Sequence, residues 1–193
     1  MKNTFIAILY TLLYACSPQN GEIVRFEMKT EYGSIIAELY PEKAPVTCKN
    51  FLSYITHTKF DSLHFYRVVR LDNQPDNKVK IEVIQGGLGD FDLDSRFPPI
   101  VHETTKSTGI KHTDGVISMA RLEPGTADTE FFICIGDQPE LDFGGKRNPD
   151  GQGFAAFGKV VNGMDIVRKI QHLEDNSQML VNKVAITSIK ILE

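Results

Sequence analysis

A mainly β fold, a closed barrel of about eight strands with two helices beside it, is the class the sequence predicts. Three observations carry it. Short strand-like segments recur along the chain, helical periodicity is confined to two stretches, and turn-forming residues punctuate the rest of the 193 residues. A barrel of about eight strands has an interior that side chains just fill, so a ligand must be met on an outer face.

The elements follow in order. Ile23 to Tyr40 alternates apolar and polar residues around Tyr32-Gly33, a hairpin pattern in which Gly33 can take the positive φ of a tight turn. Pro41 ends the second strand. Val46, Phe51, Leu52 and Ile55 then share one helical stripe, with Cys48 nearby and Pro45 suited to a first turn, so a helix is expected over 44–56. Leu63 to Leu71 reads as a strand, Asp72 to Asn77 as a polar turn-forming insert, and Lys78 to Ile84 as the next strand, broken by Gly86-Gly87 and Gly89. Asp90 to Lys111, with Pro98-Pro99 and few periodic positions, reads as an ordered loop. Val116 to Ala120 and Glu130 to Ile135 are strands joined by a polar loop, and Leu141 to Gly153 is a run of turns. Phe154 to Val161 is a strand, Gly163 to His172 a short helix, and Asn182 to Leu192 the last strand.

Bulk properties exclude several classes. The chain is 41% hydrophobic without tryptophan, and its net charge is −4. Its lysines and arginines form no basic run, so nucleic acid is not an expected partner. Near the N-terminus, Lys2 precedes an apolar stretch from Phe5 to Ala15, interrupted only by Thr11. That length suits a signal segment and falls short of the ~20 residues a spanning helix needs. Leu13-Tyr14-Ala15-Cys16 resembles the bacterial lipobox, which implies cleavage before Cys16 and lipid attachment to it; a simply cleaved secretory signal is the alternative. The chain is thus read as a leader and short tether over 1–21 and one domain over 22–193. That domain is expected outside the cytoplasm, on the periplasmic side of a bacterial membrane, as a monomer touching lipid only through its anchor. Cys48 and Cys134 read as small buried hydrophobes, with a disulfide between them left open.

Motif by motif, other chemistries fall away. None of the five histidines stands in a zinc-type spacing, so no metal and no cofactor is expected. Gly86-Gly87-Leu88-Gly89 follows a strand, but no helix comes after it and the dinucleotide fingerprint is absent. Ser118 lacks the glycines of a nucleophile elbow. Asn148-Pro149-Asp150-Gly151 lacks the further oxygen ligands of a calcium loop.

What remains is Phe131-Phe132 with two earlier pieces. Adjacent residues of a strand point to opposite faces, so one ring can fill the core while the other lines a surface. With Phe65-Tyr66-Arg67-Val68-Val69, Val83-Ile84-Gln85-Gly86-Gly87, Gly115 to Ala120, Phe131-Phe132-Ile133 and Phe157-Gly158-Lys159-Val160, the chain resembles the cyclophilin-type peptidyl-prolyl cis-trans isomerases from about Ile23 to Leu192. The resemblance implies a closed eight-stranded antiparallel barrel capped by two α-helices. It also implies that the chain accelerates rotation about X-Pro bonds in proline-containing polypeptides. Carried over residue by residue, Arg67, Gln85 and Phe132 match the catalytic set. Val83, Ala120, Leu141 and Phe154 match the wall that binds substrate. The sequence departs from the family pattern at Tyr66, Glu82, Arg121, Glu130 and Glu140, and at Phe154, where many members carry histidine. Glu140 stands where a tryptophan favours cyclosporin, which implies weak binding of that drug. The altered walls keep a second function open, a proline-segment binding module or chaperone with little turnover.

Overall fold

The structure, a computed structural model, describes residues 22–56, 63–89 and 96–192. The leader over 1–21, Cys16 included, lies outside the described residues. Nine strands are present among them: β1 Val24–Thr30, β2 Gly33–Leu39, β3 His64–Val69, β4 Val83–Gly87, β5 Val116–Met119, β6 Phe131–Cys134, β7 Ala155–Asn162, β8 Asp175–Asn176 and β9 Met179–Leu192. Eight of these close a barrel in the order β1-β2-β7-β5-β6-β4-β3-β9, with β9 pairing back onto β1; the two-residue β8 only extends β9. Every pairing is antiparallel.

The β1–β2 hairpin behaves as its alternation predicts. Phe26 opposes Ala37 and Met28 opposes Ile35, all four fully buried. Gly33 has φ +134° at its turn, and a Cβ there would meet the Ile166 side chain at 2.9 Å. Helix α1, Pro45–Thr56, drops Phe51 among the core rings of Phe26, Phe131 and Phe157, with centroids 5.3, 5.6 and 5.2 Å away. The helix N-terminus is held by Glu103, whose carboxylate accepts the Val46 and Thr47 N–H groups at 3.2 and 2.8 Å. Helix α3, Met164–Gln171, buries Val167 and Ile170.

Three expectations are corrected. A third helix, the single turn α2 Thr105–Thr108, lies in the segment read as loop; Thr104 accepts the Ser107 N–H at its start and Gly109 closes it at φ 72°. β4 begins at Val83 rather than Lys78, because the side-chain amide of Gln74 takes the Ile81 carbonyl and N–H that a ladder would otherwise use. β9 begins at Met179, three residues before the expected Asn182, where it folds against β8. Cys48 and Cys134 are both free, and burial raises both thiol pKa values, that of Cys48 to about 12. Among the described residues, no helix is long and apolar enough to cross a membrane.

Candidate active site

The site is made by one irregularity in β3. Phe65 opposes Gly86 of β4 and Arg67 opposes Gln85, so Tyr66 is an extra residue, a β-bulge. Regular alternation would send Arg67 inward beside Phe65. The bulge instead leaves Phe65 in the core and lets both Tyr66 and Arg67 reach the Gln85 side chain. On β6 no bulge intervenes, and the two phenylalanines divide as neighbours should. Phe131 joins the interior, its ring 5.8 Å from that of Phe65. Phe132 belongs to a separate apolar cluster with Val69, Ile81, Val83, Cys134 and Leu141, against which Ala120 and Phe154 pack.

A cleft of about 470 Å³ opens over this second cluster. All seven residues expected at the site line it: Arg67, Val83, Gln85, Ala120, Phe132, Leu141 and Phe154. Its floor is rigid. The Phe154 ring meets Phe132 edge-on at 5.3 Å, and the buried His112 ring stacks behind it at 6.0 Å. His112 lies 2.9 Å from Asp142 and 3.0 Å from the Ser118 hydroxyl. This has the outline of a nucleophilic triad, but Ser118 is fully buried and Phe132 covers His112, so the trio supports the floor and meets no substrate.

Arg67 is held by neutral groups. Its Nη1 donates to Gln85 Oε1 at 2.9 Å, and its Nε and Nη2 donate to the side-chain oxygen Oε1 of Gln178 at 3.1 and 2.6 Å. Among the described residues no carboxylate pairs with it, and burial lowers its pKa from the ordinary arginine value. Gln85 in turn donates to the Tyr66 hydroxyl at 2.7 Å, and Tyr66 donates to Glu130. Burial, with Glu130 beside it, pushes the Tyr66 pKa far upward, so this phenol stays protonated. Glu130 also receives the Gly89 N–H at 3.0 Å and Arg96 at 3.3 Å.

Sequence reasoning missed Gln178, Ile81 and Arg147. Gln178 sits in the two-residue turn between β8 and β9, with Ser177 and Gln178 at φ 52° and 77°; neither residue is a usual turn signal there. Ile81 lines the cleft at the point where Glu82, its neighbour, does not. Glu140 faces its own loop, accepting the Lys146 N–H at 2.8 Å. No cluster of three or more His, Cys, Asp or Glu residues able to hold a metal occurs among the described residues.

Fold and site together define a class: a solid barrel with an apolar notch outside, rimmed by a guanidinium that no acid among the described residues neutralises. The model of the cyclophilin type peptidyl-prolyl cis-trans isomerase family matches residues 25–191. The chain is 33% identical over 167 residues to a peptidyl-prolyl cis-trans isomerase of Acinetobacter baylyi, covering 86% of this chain and 81% of the relative. It is 32% identical over 143 residues to peptidyl-prolyl cis-trans isomerase B of Escherichia coli, covering 74% and 80%. In fold it resembles a cyclophilin type isomerase of Cryptosporidium parvum, with TM-score 0.71 at 21% identity over 89% of this chain and 99% of the other. A second structure, described as that isomerase in the presence of the dipeptide Ala-Pro, gives TM-score 0.69 at 22% identity over 88% and 99%. The chain belongs to the cyclophilin-type peptidyl-prolyl cis-trans isomerases, and its enzymatic activity is theirs.

Proposed function

We propose that Arg67, beside the notch floored by Phe132, speeds X-Pro rotation in polypeptides that fold outside the cytoplasm. Amide rotation is opposed by a barrier of ~18–20 kcal/mol because the nitrogen lone pair is delocalised into the carbonyl. The two X-Pro isomers lie within ~1 kcal/mol of each other, so the obstacle is kinetic. No bond breaks and no proton moves; the enzyme need only favour the twisted amide over both planar ones. In the twisted state the prolyl nitrogen recovers its lone pair and becomes an acceptor. A guanidinium can donate to it there and gains nothing from a planar nitrogen.

Three of Arg67's N–H bonds are used by Gln85 and Gln178, which leaves two of the five that a guanidinium carries. Phe132, Val83, Leu141 and Phe154 would hold the ring, while Gln85 and the backbone of Ala120 anchor the flanking chain. The observation that carries this reading is the guanidinium fixed by two neutral amides at the mouth of the apolar cleft. Arg67→Ala is expected to slow exchange of a proline test peptide by ~100-fold, equal to ~2.7 kcal/mol, while the fold survives. Unchanged turnover in a folded variant would refute the role. Peptide binding without acceleration by the wild type would favour the binding module.

The cellular placement is part of the same proposal. Lys2, the apolar run to Ala15 and Cys16 support export and a lipid anchor at Cys16, with the monomeric domain on the periplasmic side of a bacterial membrane. Mass analysis of the N-terminus of the mature protein tests this directly: a chain that begins at a lipid-modified Cys16 is expected.

A further inference from the structure

The turn-rich segment after Leu141 sends Arg147 and Asn148 into the cleft. Arg147 lines it together with Arg67. The loop is tied down on both sides of Arg147. Its N–H donates to the Glu140 carbonyl at 3.1 Å, Gly144 N–H donates to Gly151 at 2.7 Å, and Asp150 pairs with Arg121 at 2.7 Å. Among the described residues, the Arg147 guanidinium itself donates only to neutral oxygens, those of Gln74 at 3.1 Å and Val79 at 2.6 Å. Burial, and then the like charge of Arg67, lower its pKa from the ordinary value.

Charge in the cleft is therefore divided. Asp128 and Glu130, the acids that line it, are both paired with Arg96, at 2.8 and 3.3 Å. Arg121, which also lines it, is paired with Asp150 at 2.7 Å. Arg67 and Arg147 have no such partner among the described residues, and the other side chains that line the cleft are apolar or neutral, Ile81, Val83, Leu141, Gln85 and Asn148 among them. Two like charges kept together in a half-buried place are stabilised by an anion that enters between them. We propose that Arg147 makes this site selective for clients carrying an acidic side chain close to the proline, whose carboxylate lies against the Arg147 guanidinium. The inference rests on reading the cleft as the isomerase site.

The test uses blocked peptides with a single Ala-Pro bond. Each pair differs only by glutamate or glutamine, placed two positions before the proline or one or two after it. Cis–trans exchange is followed by NMR with the full domain and with Arg147→Met and Arg147→Lys. At one position the glutamate peptide is expected to show kcat/KM about fivefold above its glutamine twin. That ratio should fall to about one in Arg147→Met, persist largely in Arg147→Lys, and shrink as salt is raised. A wild-type ratio of one or less at every position overturns the proposal. So does a ratio that survives in Arg147→Met, or one lost equally in both variants, which would assign it to the loop's position and not to charge. If no peptide of either kind is accelerated by the wild type, the isomerase reading itself fails, an outcome distinct from turnover without preference.

Discussion

Gln178→Gly removes a side chain that steadies Arg67, at a position whose backbone suits glycine. Gln178 stands at φ 77°, in the left-handed region that costs an ordinary residue about 1 kcal/mol. The turn itself should persist, because Asp175 accepts the Gln178 N–H at 2.8 Å and the Val68 N–H donates to its carbonyl at 2.8 Å. Lost are the bonds from Arg67 Nε and Nη2, and the bond Gln178 gives to Asn73 at 3.0 Å. At about 1 kcal/mol each, these outweigh the backbone relief and leave the domain about 2 kcal/mol less stable. Arg67 keeps only its contact to Gln85. Its side chain carries about 2 kcal/mol of rotamer entropy, and most of that must now be lost in reaching the twisted amide. The rate should fall about tenfold, or ~1.4 kcal/mol, milder than deleting the guanidinium. The fall should appear in kcat, since ring and backbone contacts made in the ground state are untouched. NMR exchange rates across a range of peptide concentration, with a urea midpoint as a check on folding, supply both numbers. Wild-type kcat in folded Gln178→Gly would show that Arg67 needs no help from this turn.

Two further outcomes follow from the same geometry. Phe131→Leu should lower stability by about 1–2 kcal/mol with KM unchanged, whereas Phe132→Leu should raise KM about fivefold; equal KM shifts would contradict the inward and outward division of the two rings. Below the ordinary carboxyl pKa of 3.8 the domain should lose stability. Burial works against the Asp175 charge, but hydrogen bonds from Arg70, Gln178 and Asn73 outweigh it and depress the folded pKa; in Asp142 those from His112 do the same. Such contributions are complete above the unfolded value and disappear as pH drops through the folded one. Urea midpoints at pH 6 and pH 3 check this, with Asp175→Asn expected to flatten the difference.

The barrel was legible because its strands alternate and its helices do not. Phe26, Met28, Ile35 and Ala37 obey period two, and Phe51 sits on a helical stripe, so local pattern and tertiary burial agree. Single-turn α2 was not legible, since four residues carry no period and only the caps at Thr104 and Gly109 mark it. At the site, alternation on β6 already turns one of Phe131 and Phe132 outward, but the place of Arg67 was readable only through resemblance. Alternation alone puts Arg67 inside beside Phe65, and nothing in Phe65-Tyr66-Arg67 announces a bulge. Gln178 lies 111 residues from Arg67 in a turn without glycine, so its partnership exists only once β9 pairs with β3.

The departures from the family pattern also change meaning once the chain is folded. Taken singly, Tyr66 and Glu130 look like two losses at the site. In the fold they are partners: the Tyr66 hydroxyl donates to Glu130 and accepts from Gln85. Because a carboxylate only accepts, Tyr66 must give it its proton, and the hydroxyl is then left to receive an N–H from Gln85. That fixes the Gln85 amide with its oxygen toward Arg67, as the 2.9 Å contact requires. Glutamine at 130 could offer Tyr66 either an oxygen or an amide N–H and would leave that order undecided. Arg121 and Phe154 form a second pair. The guanidinium lies 5.3 Å from the Phe154 ring while it binds Asp150 and the Gly153 carbonyl, so the ring in the histidine's usual place is backed by the new arginine. At the remaining wall position Ile81 supplies the apolar surface that Glu82 does not. Substitutions that come in bonded pairs keep a site's geometry while altering its walls, and this accounts for an Arg67 held in place among neighbours that have changed.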